Sequence, residues 1–254
     1  MLLKVGGTSE NHMATGTSTQ SALTTTVVAA ALAVTAPNSG DSTAEAGALF
    51  RSACTANTVS DYSQDPLLRQ RTKGDGDAPI TIYEITDFAC SWCREFYRSV
   101  LPSLEREYIA TGKAKLIFVN LPLPSLHANS PAAHEFAMCA ARQDKFWPVH
   151  DLLYQHQDLW IPLDAPRGYF TDLAESAELD LDSLNDCFDS GATRWIVQRE
   201  AESVANQANI TSTPSFIMES VVLAGYQPME SWRPILDSLF ATKTGGDIQL
   251  PRRR

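Results

Sequence analysis

Two cysteines, Cys90 and Cys93, stand between a strand-like run and a helix-like run, and this arrangement restricts the possible folds more than the rest of the sequence does. The preceding residues, Ile80 to Asp87, are mostly β-branched, aromatic or aliphatic and are largely apolar on both faces, which is typical of a central strand covered on both sides. The following residues, Cys90 to Ala110, repeat apolar side chains at helical spacing. We therefore predict that a buried strand is followed directly by a helix whose first turn contains the two cysteines.

This Cys-x-x-Cys spacing has three interpretations: a redox pair, half of a zinc site, or two inert thiols in a core. A structural zinc site needs four ligands, normally including a second close pair of Cys or His. The sequence has no second close pair of cysteines. The position after a buried strand favours a redox pair, with inert thiols as the alternative. We expect neither a metal nor a cofactor.

The predicted helix start would also divide the roles of the two thiols. Free N–H groups and the helix dipole favour an anion at this end, so the thiolate of Cys90 is stabilised. Only a thiolate attacks a disulfide sulfur. We expect Cys90 to be the exposed nucleophile and Cys93, one turn later on the core face, to resolve the mixed disulfide.

The rest of the chain predicts an α/β fold interrupted by helices. A second strand at Lys115–Asn120 completes a parallel strand–helix–strand unit. A long helical stretch follows, and strands return at 213–218 and 221–224 before a last helix. We therefore predict a domain of residues 58–243 with a helical insertion at about 125–210, followed by a flexible tail at 244–254.

Two residues stand out within these predicted elements. Pro102 falls inside the first helix and predicts a kink, because proline cannot donate the backbone hydrogen bond that a helix interior requires. Glu84 shares a face of the first strand with Ile80 and Ile82, so a carboxylate is expected in a buried setting.

Two motifs carry a resemblance to a known family. Residues 80–93, Ile-Thr-Ile-Tyr-Glu-Ile-Thr-Asp-Phe-Ala-Cys-Ser-Trp-Cys, resemble the active-site strand and helix of the DsbA-like branch of the thioredoxin superfamily. Thr213-Pro214-Ser215-Phe216 is similar to that family's cis-proline loop and following strand. The resemblance covers roughly residues 74–242. It implies a thioredoxin-like fold with an inserted helical domain and a thiol–disulfide oxidoreductase that acts on protein cysteines.

The resemblance also implies roles for four further residues. Pro214 would be cis beside Cys90, and Thr213 would present its backbone to a substrate peptide. Glu84 matches the family's buried acid, which assists proton transfer to the resolving cysteine. A shallow apolar groove near Trp92 would bind the substrate. The alternatives are an ordinary trans turn at Pro214 and a salt-bridged edge carboxylate at Glu84.

The dipeptide Ser91-Trp92 departs from the strongest oxidants of the family, which carry a proline and often a histidine there. Without an imidazole in the motif to stabilise the Cys90 thiolate, we expect a less oxidising couple. Thr213 before the proline resembles isomerases and reductases as much as oxidases. A reductase or isomerase kept reduced by a membrane partner is therefore one alternative, and a redox-silent binding module is another. Intact Cys90, Cys93 and Glu84 argue against the binding module.

Cys139 and Cys187 both fall near the core edge of predicted helices in the insertion. They could be two buried free thiols, which behave as small hydrophobic side chains. Some DsbA-like proteins resemble this chain in carrying a second bridge within the helical domain, which implies a structural disulfide between Cys139 and Cys187. Cys54 would then be left unpaired. A disulfide of this kind favours an oxidising compartment.

Residues 1–57 resemble a signal-like or disordered leader. An apolar run at 27–34 is too short to span a bilayer but fits the apolar region of a secretory signal peptide. The fit is imperfect, because the leading residues carry only Lys4, offset by Glu10, and the Ala44-Glu45-Ala46 cleavage pattern lies far from the run. We expect an extracytoplasmic location, periplasmic or in the cell envelope.

The net charge of −10 argues against nucleic acid and anionic membrane surfaces as partners. The terminal Arg252-Arg253-Arg254 is a local exception that is typical of a solvated tail. The expected partners are cysteine-containing protein substrates and a membrane or soluble redox partner.

Overall fold

The structure, a computed structural model, describes residues 65–245 of the chain. The predicted leader, with Cys54 inside it, and most of the predicted tail lie outside the described residues. Among the helices of residues 65–245, none is both long enough and apolar enough to cross a bilayer.

Five strands form the sheet of the described residues: β1 (Thr72–Lys73), β2 (Ile80–Thr86), β3 (Ala114–Asn120), β4 (Ser215–Met218) and β5 (Val221–Ala224). Their order across the sheet is β1-β3-β2-β4-β5. β2 and β3 run parallel, whereas the other neighbouring pairs run antiparallel. The predicted parallel unit is confirmed, and β2 lies at the centre of the sheet.

The central strand β2 is covered on both faces, as its composition predicts. Ile80, Ile82 and Glu84 are buried on one face, and Ile85 is buried on the other. The register places Glu84 between Phe118 of β3 and Phe216 of β4. A carboxyl group therefore lies in the middle of the sheet, away from either edge, which rules out the salt-bridged edge carboxylate.

The long helix predicted for residues 90–110 is divided into three pieces: α1 (Ser91–Ser99), α2 (Leu101–Leu104) and a π-helical turn (Glu105–Ile109). The break falls at Val100, where φ is −109°, and Pro102 lies in the first turn of α2. Proline is tolerated in a first turn because its missing N–H has no intrahelical acceptor there. The predicted kink is therefore displaced to the residues just before the proline.

Six helices stand between β3 and β4 and form the inserted block: α3 (Ser130–Ala141), α4 (Phe146–Gln155), α5 (Gln157–Trp160), α6 (Arg167–Ser176), α7 (Leu181–Ser190) and α8 (Arg194–Gln207). This confirms the predicted α/β fold, in which a block of helices interrupts the sequence between two strands of the sheet. α3 is buried along most of its length and packs against its neighbours with small side chains such as Ala133 and Ala137. The last helix, α9 (Met229–Thr244), covers the sheet through Trp232, which packs on Phe96 and Phe216.

A disulfide between Cys139 of α3 and Cys187 of α7 joins two helices of the insertion. The two sulfur atoms are 2.00 Å apart and the Cα atoms 5.9 Å apart. Asp180 caps the start of α7, because its carboxylate accepts a hydrogen bond from the Ser183 N–H, and Gly191, which has a φ of 63°, caps the end. Cys187 therefore lies on a helix that is capped at both ends.

We expect the double variant Cys139→Ala, Cys187→Ala to lose about 4 kcal/mol of stability, because the bridge closes a loop of 48 residues that the unfolded chain would otherwise leave free. Urea unfolding of the variant and the wild type in the same oxidising buffer measures this loss. An unchanged unfolding free energy would show that the bridge does not hold the insertion together.

Candidate active site

The turn between β2 and α1 places Cys90 at the N-terminal cap of the helix. The Cys90 N–H donates to the Asp87 carbonyl at 3.0 Å, and its own carbonyl accepts the first helical hydrogen bond from Arg94 at 3.1 Å. Its backbone is extended, with φ −77° and ψ 124°. Cys90 is therefore the N-cap residue of α1, as its place before the helix predicts, but only 8% of it is exposed, so the prediction of an exposed nucleophile is wrong.

The surroundings of Cys90 favour its thiolate. A hydrogen bond with the Cys93 thiol is the largest cause, and the pKa of the Cys90 thiol falls to about 6. Burial opposes this shift, while the Thr213 side chain and the backbone amides of Cys93 and Trp92 lower the pKa further. Cys90 therefore has the charge state that a nucleophilic thiol requires near neutral pH.

Cys93 has the opposite environment. It is fully buried on the core face of α1, as its spacing predicts. Burial is the main cause that raises the pKa of the Cys93 thiol well above its ordinary value, and the neighbouring Cys90 raises it further. Both cysteines are free thiols in this structure. The pair thus combines a stabilised thiolate at the helix start with a neutral thiol on the core face.

The loop before β4 lies against the nucleophile. The Thr213–Pro214 peptide bond is cis. The Cys90 thiol donates to the Thr213 carbonyl at 3.4 Å, and Gly225 donates to the Pro214 carbonyl at 2.8 Å. The pairing of Ser215 with Ile85 carries this loop to the carboxyl end of β2. Residues about 120 positions apart in sequence therefore meet at one sulfur atom.

An aromatic surface borders the same thiol. Trp92 is 59% exposed and stacks on Tyr226, with ring centroids 5.7 Å apart. Sequence reasoning missed Tyr226. The available signal was Gly225, which follows β5 and marks the start of the loop that carries Tyr226.

Glu84 is buried near the pair without touching solvent. Burial is the largest cause that raises the pKa of its carboxyl from 4.5 to about 8, although Lys73 and the Thr86 hydroxyl counteract it. Its Oε2 atom has no hydrogen-bond partner among the described residues. Glu84 is therefore a neutral acid at neutral pH.

Asp87, three residues before Cys90, holds the active-site turn, and sequence reasoning missed this role. Its Oδ1 accepts from the Ala89 N–H at 2.8 Å and from the Ser130 hydroxyl at 2.5 Å. Its Oδ2 lies 2.9 Å from Nδ1 of His127. Burial opposes ionisation, but hydrogen bonds, led by the one to His134, hold the pKa of the Asp87 carboxyl well below its usual range. The turn is thus held by an ionised Asp87 carboxylate, which accepts hydrogen bonds at both of its oxygens.

Gln157, at the start of α5, is a second residue that sequence reasoning missed. Its side-chain amide donates to the carbonyls of Phe88 at 2.7 Å and Cys90 at 3.0 Å. Gln157 is buried, so these bonds satisfy carbonyls that water cannot reach. The insertion therefore contributes directly to the shape of the turn.

The structure brings together Cys90, Cys93, Glu84, Thr213, Pro214 and Trp92, whereas the Cys139–Cys187 bridge lies within the insertion. Residues 65–245 contain no group of three or more His, Cys, Asp or Glu side chains arranged to hold a metal ion.

A family model described as thioredoxin matches residues 68–238. The chain belongs to the thioredoxin family. The structure of α-DsbA1 from Wolbachia pipientis is similar to it, with a TM-score of 0.63 and 22% identity over 69% of this chain and 92% of that one. The predicted thioredoxin-like fold is thereby confirmed.

Curated relatives match this thioredoxin-family chain over part of their length. A probable disulfide bond formation protein D of Bacillus anthracis is 40% identical over 88 residues, which are 35% of this chain and 41% of the relative. An Na⁺/H⁺ antiporter NhaA 3 of Salinispora tropica is 30% identical over 176 residues, which are 68% of this chain and 25% of the relative. The chain therefore spans less than half the length of either relative.

We expect Glu84→Gln to change stability in a pH-dependent way. The folded protein holds the Glu84 proton up to about pH 8 and an exposed glutamate only up to about 4.5, so the wild type loses stability as the pH rises through this window. The amide of the Glu84→Gln variant cannot ionise, so the variant does not lose stability in this window. Above about pH 8 its free energy of unfolding should exceed that of the wild type by a few kcal/mol, on the order of 1.4 kcal/mol for each unit by which the pKa is raised.

Below the window the two proteins should differ little, because Glu84 is protonated in both the folded and the unfolded wild type. Urea unfolding of the oxidised proteins at both ends of the window provides the measurement. A stability difference that does not vary with pH would contradict a raised pKa of the Glu84 carboxyl.

Proposed function

We propose that this protein is a protein thiol–disulfide oxidoreductase that exchanges disulfides with the cysteines of other proteins through Cys90 and Cys93. The observation that carries the proposal is the contrast between the two thiols. Cys90, at a helix start, has a lowered thiol pKa, whereas the buried Cys93 has a raised one. Inert core thiols have no need of such a difference.

The difference between the pKa values of the two thiols suits a thiol–disulfide exchange in two steps. A substrate thiolate attacks the Cys90 sulfur of the oxidised protein, and the electron pair of the broken S–S bond passes to Cys93, which takes up a proton. A second substrate thiolate then attacks the substrate sulfur of the mixed disulfide, and Cys90 leaves as its stabilised thiolate. The substrate is left with a disulfide and the protein with two thiols.

The substrates in this proposal are extended segments of polypeptide. The cis Thr213–Pro214 loop lies against Cys90 and offers its backbone at the edge of the site. Trp92 and Tyr226 supply an exposed aromatic surface next to it, which suits apolar side chains that flank a substrate cysteine. Both features favour unfolded chains over compact domains.

We further propose an extracytoplasmic location, with a membrane or soluble partner that restores the oxidised form. The Cys139–Cys187 bridge supports this, because structural disulfides persist in oxidising compartments. The signal-like leader predicted from the sequence supports it as well. Fractionation of cells that express the full chain provides the test, and recovery from the cytoplasmic fraction alone would count against the proposal.

The variant Cys93→Ser should accumulate a mixed disulfide when it is given a substrate peptide whose single cysteine is already in a disulfide with glutathione. The Cys90 thiolate attacks the peptide sulfur and glutathione leaves as a thiolate, but the thiol that would resolve the new bond is gone. Cys90→Ser should lose at least about 10³-fold in turnover, since the nucleophile itself is removed. Both effects are read by mass spectrometry and by the oxidation of a reduced, unfolded model protein. Cys139→Ala, Cys187→Ala is the control that retains turnover. Turnover that survives in Cys90→Ser would refute the mechanism.

The reduction potential of the Cys90–Cys93 couple decides the direction of electron flow. The pKa of the Cys90 thiol, about 6, is lowered less than in the strongest oxidants, so we expect a potential between their value of about −120 mV and the reductant value of about −270 mV. Equilibration in glutathione buffers with Trp92 fluorescence measures it. A value in the reductant range would favour the reductase or isomerase.

A further inference from the structure

A chain of buried polar side chains connects the edge of the sheet to the active-site turn. Its members are Arg71 beside β1, Glu200 on α8, Asn120 at the end of β3, His134 on α3 and Asp87 in the turn, and all five are fully buried. Buried polar groups cost free energy unless each one finds a partner. The contacts between these side chains therefore decide which atoms donate and which accept.

Glu200 is the carboxylate that orients the next member of this chain. Its Oε1 accepts from Nη2 of Arg71 at 2.6 Å and its Oε2 from Nη1 at 3.1 Å, while Asp65 also pairs with Arg71. Oε2 further accepts from the backbone N–H of Asn120 at 2.9 Å and from its Nδ2 at 2.6 Å. A carboxylate paired with a guanidinium only accepts hydrogen bonds, so Asn120 must turn its NH2 group toward Glu200 and its Oδ1 away from it.

Asn120 in turn decides which nitrogen of His134 always carries a proton. The Asn120 Oδ1 lies 2.7 Å from Nδ1 of His134. An amide oxygen only accepts, so Nδ1 must be protonated whether the ring is neutral or charged. The ring is also packed against Phe88, with centroids 4.9 Å apart. The other ring nitrogen, Nε2, is thereby directed at the active-site turn.

The Nε2 atom of His134 faces the backbone that leads to Cys90. It lies 3.4 Å from the Phe88 nitrogen, whose N–H donates to it, and 3.7 Å from Oδ1 of Asp87. A neutral ring accepts the Phe88 N–H and a charged ring donates to Asp87, so either form holds the turn. The next two amides, of Ala89 and Cys90, donate to the Asp87 side chain and carbonyl. Three consecutive N–H groups, ending at Cys90, thus have a partner.

We propose that His134 is a positioning residue for the thiol–disulfide exchange: Glu200, through Asn120, keeps a proton on its Nδ1, and its Nε2 then holds the turn that places Cys90 at the helix start. His134 touches none of the reacting atoms, so it acts through the backbone of the turn. The role rests on the proposed function, because it is the exchange that requires Cys90 in this position.

The position of the turn matters because the Cys90 thiolate depends on its neighbours. The Cys93 thiol is the largest cause of the lowered pKa of the Cys90 thiol, and the backbone amides of Cys93 and Trp92 lower that pKa further. A turn that loses the acceptor of the Phe88 N–H shifts the Cys90 sulfur relative to these donors. The pKa of the Cys90 thiol should then rise.

The first measurement reads the proton of His134 directly in the wild-type protein. Two-bond ¹H–¹⁵N correlation spectra show which nitrogens of a histidine ring are protonated, and the His134→Phe variant identifies the His134 signals by their absence. We expect a protonated Nδ1 from about pH 5 to about pH 8. A proton on Nε2 beside a bare Nδ1 would overturn the positioning role without the need for any folded variant.

The variant Asn120→Ala removes the acceptor for Nδ1. In a neutral ring the single proton of His134 should then move to Nε2, where Oδ1 of Asp87 accepts it, and the Phe88 N–H is left without an acceptor. A His134 proton that stays on Nδ1 in this variant would contradict the role given to Asn120.

The functional measurement is the pH dependence of Cys90 alkylation in the reduced proteins, which follows the thiolate fraction. The wild-type midpoint should fall near pH 6. In His134→Phe, which keeps a ring but has no acceptor for the Phe88 N–H, the midpoint should rise by about one unit, so alkylation at about pH 5 should be about tenfold slower. His134→Gln should stay within about twofold of the wild type, because its Oε1 accepts from the Phe88 N–H.

Asn129→Ala is the matched control for Asn120→Ala. It makes the same change in the same half of the chain, but the Asn129 amide donates to the carbonyls of Ile161 and Leu163, at 3.0 Å and 2.7 Å, and does not contact His134. The His134 signals and the alkylation profile of this control should match those of the wild type. A shift as large as that of Asn120→Ala would overturn the specific role of the Asn120–His134 contact.

The remaining outcomes separate this inference from the proposed function. A His134→Phe profile equal to that of the wild type, or a His134→Gln profile no closer to the wild type than that of His134→Phe, would overturn the positioning role. A wild type whose Cys90–Cys93 pair neither opens nor closes in glutathione buffers would overturn the proposed function and the positioning role together. A wild type that exchanges disulfides beside an unaffected His134→Phe would overturn the positioning role alone.

Discussion

The hydrogen bonds to the Asp87 carboxylate are the interaction on which the active site depends. Asp87 directly follows the central strand, and its oxygens accept hydrogen bonds from the turn, from the loop after β3 and from the start of α3. Each hydrogen bond to a charged group contributes about 1.5–3 kcal/mol, so several together offset the cost of burying one carboxylate. Without this anchor the turn would not hold Cys90 at the helix start.

Glu84 and Asp87 show how strongly position decides the state of a buried carboxyl. They are three residues apart, yet the pKa of Glu84 is raised to about 8, whereas that of Asp87 lies well below its usual range. Both are desolvated, so the difference comes from the number of donors around each group. Glu84 is therefore protonated at neutral pH, whereas Asp87 is a fixed charge in the turn.

The helical insertion is part of the site as well as a cover for the sheet. α4 supplies Tyr154 to Thr86, α5 supplies Gln157 to the turn, and α3 supplies Ser130 and His134 to Asp87. The Cys139–Cys187 bridge joins α3 to α7 within this insertion. The position of each contributing side chain is therefore set by helix packing at a distance from the reacting sulfur atoms.

The sequence alone was enough to predict the features that depend on local order: the strand before Cys90, the helix after it, the helices between two sets of strands and the burial of Glu84. It could do so because strand and helix periods and the spacing of two cysteines are local signals. The contacts of Asp87, Gln157, Tyr154 and Tyr226 were decided only by the tertiary structure. Thr86 and Tyr154, for example, are 68 residues apart, and only the packing of the insertion on β2 brings their hydroxyls within hydrogen-bond distance.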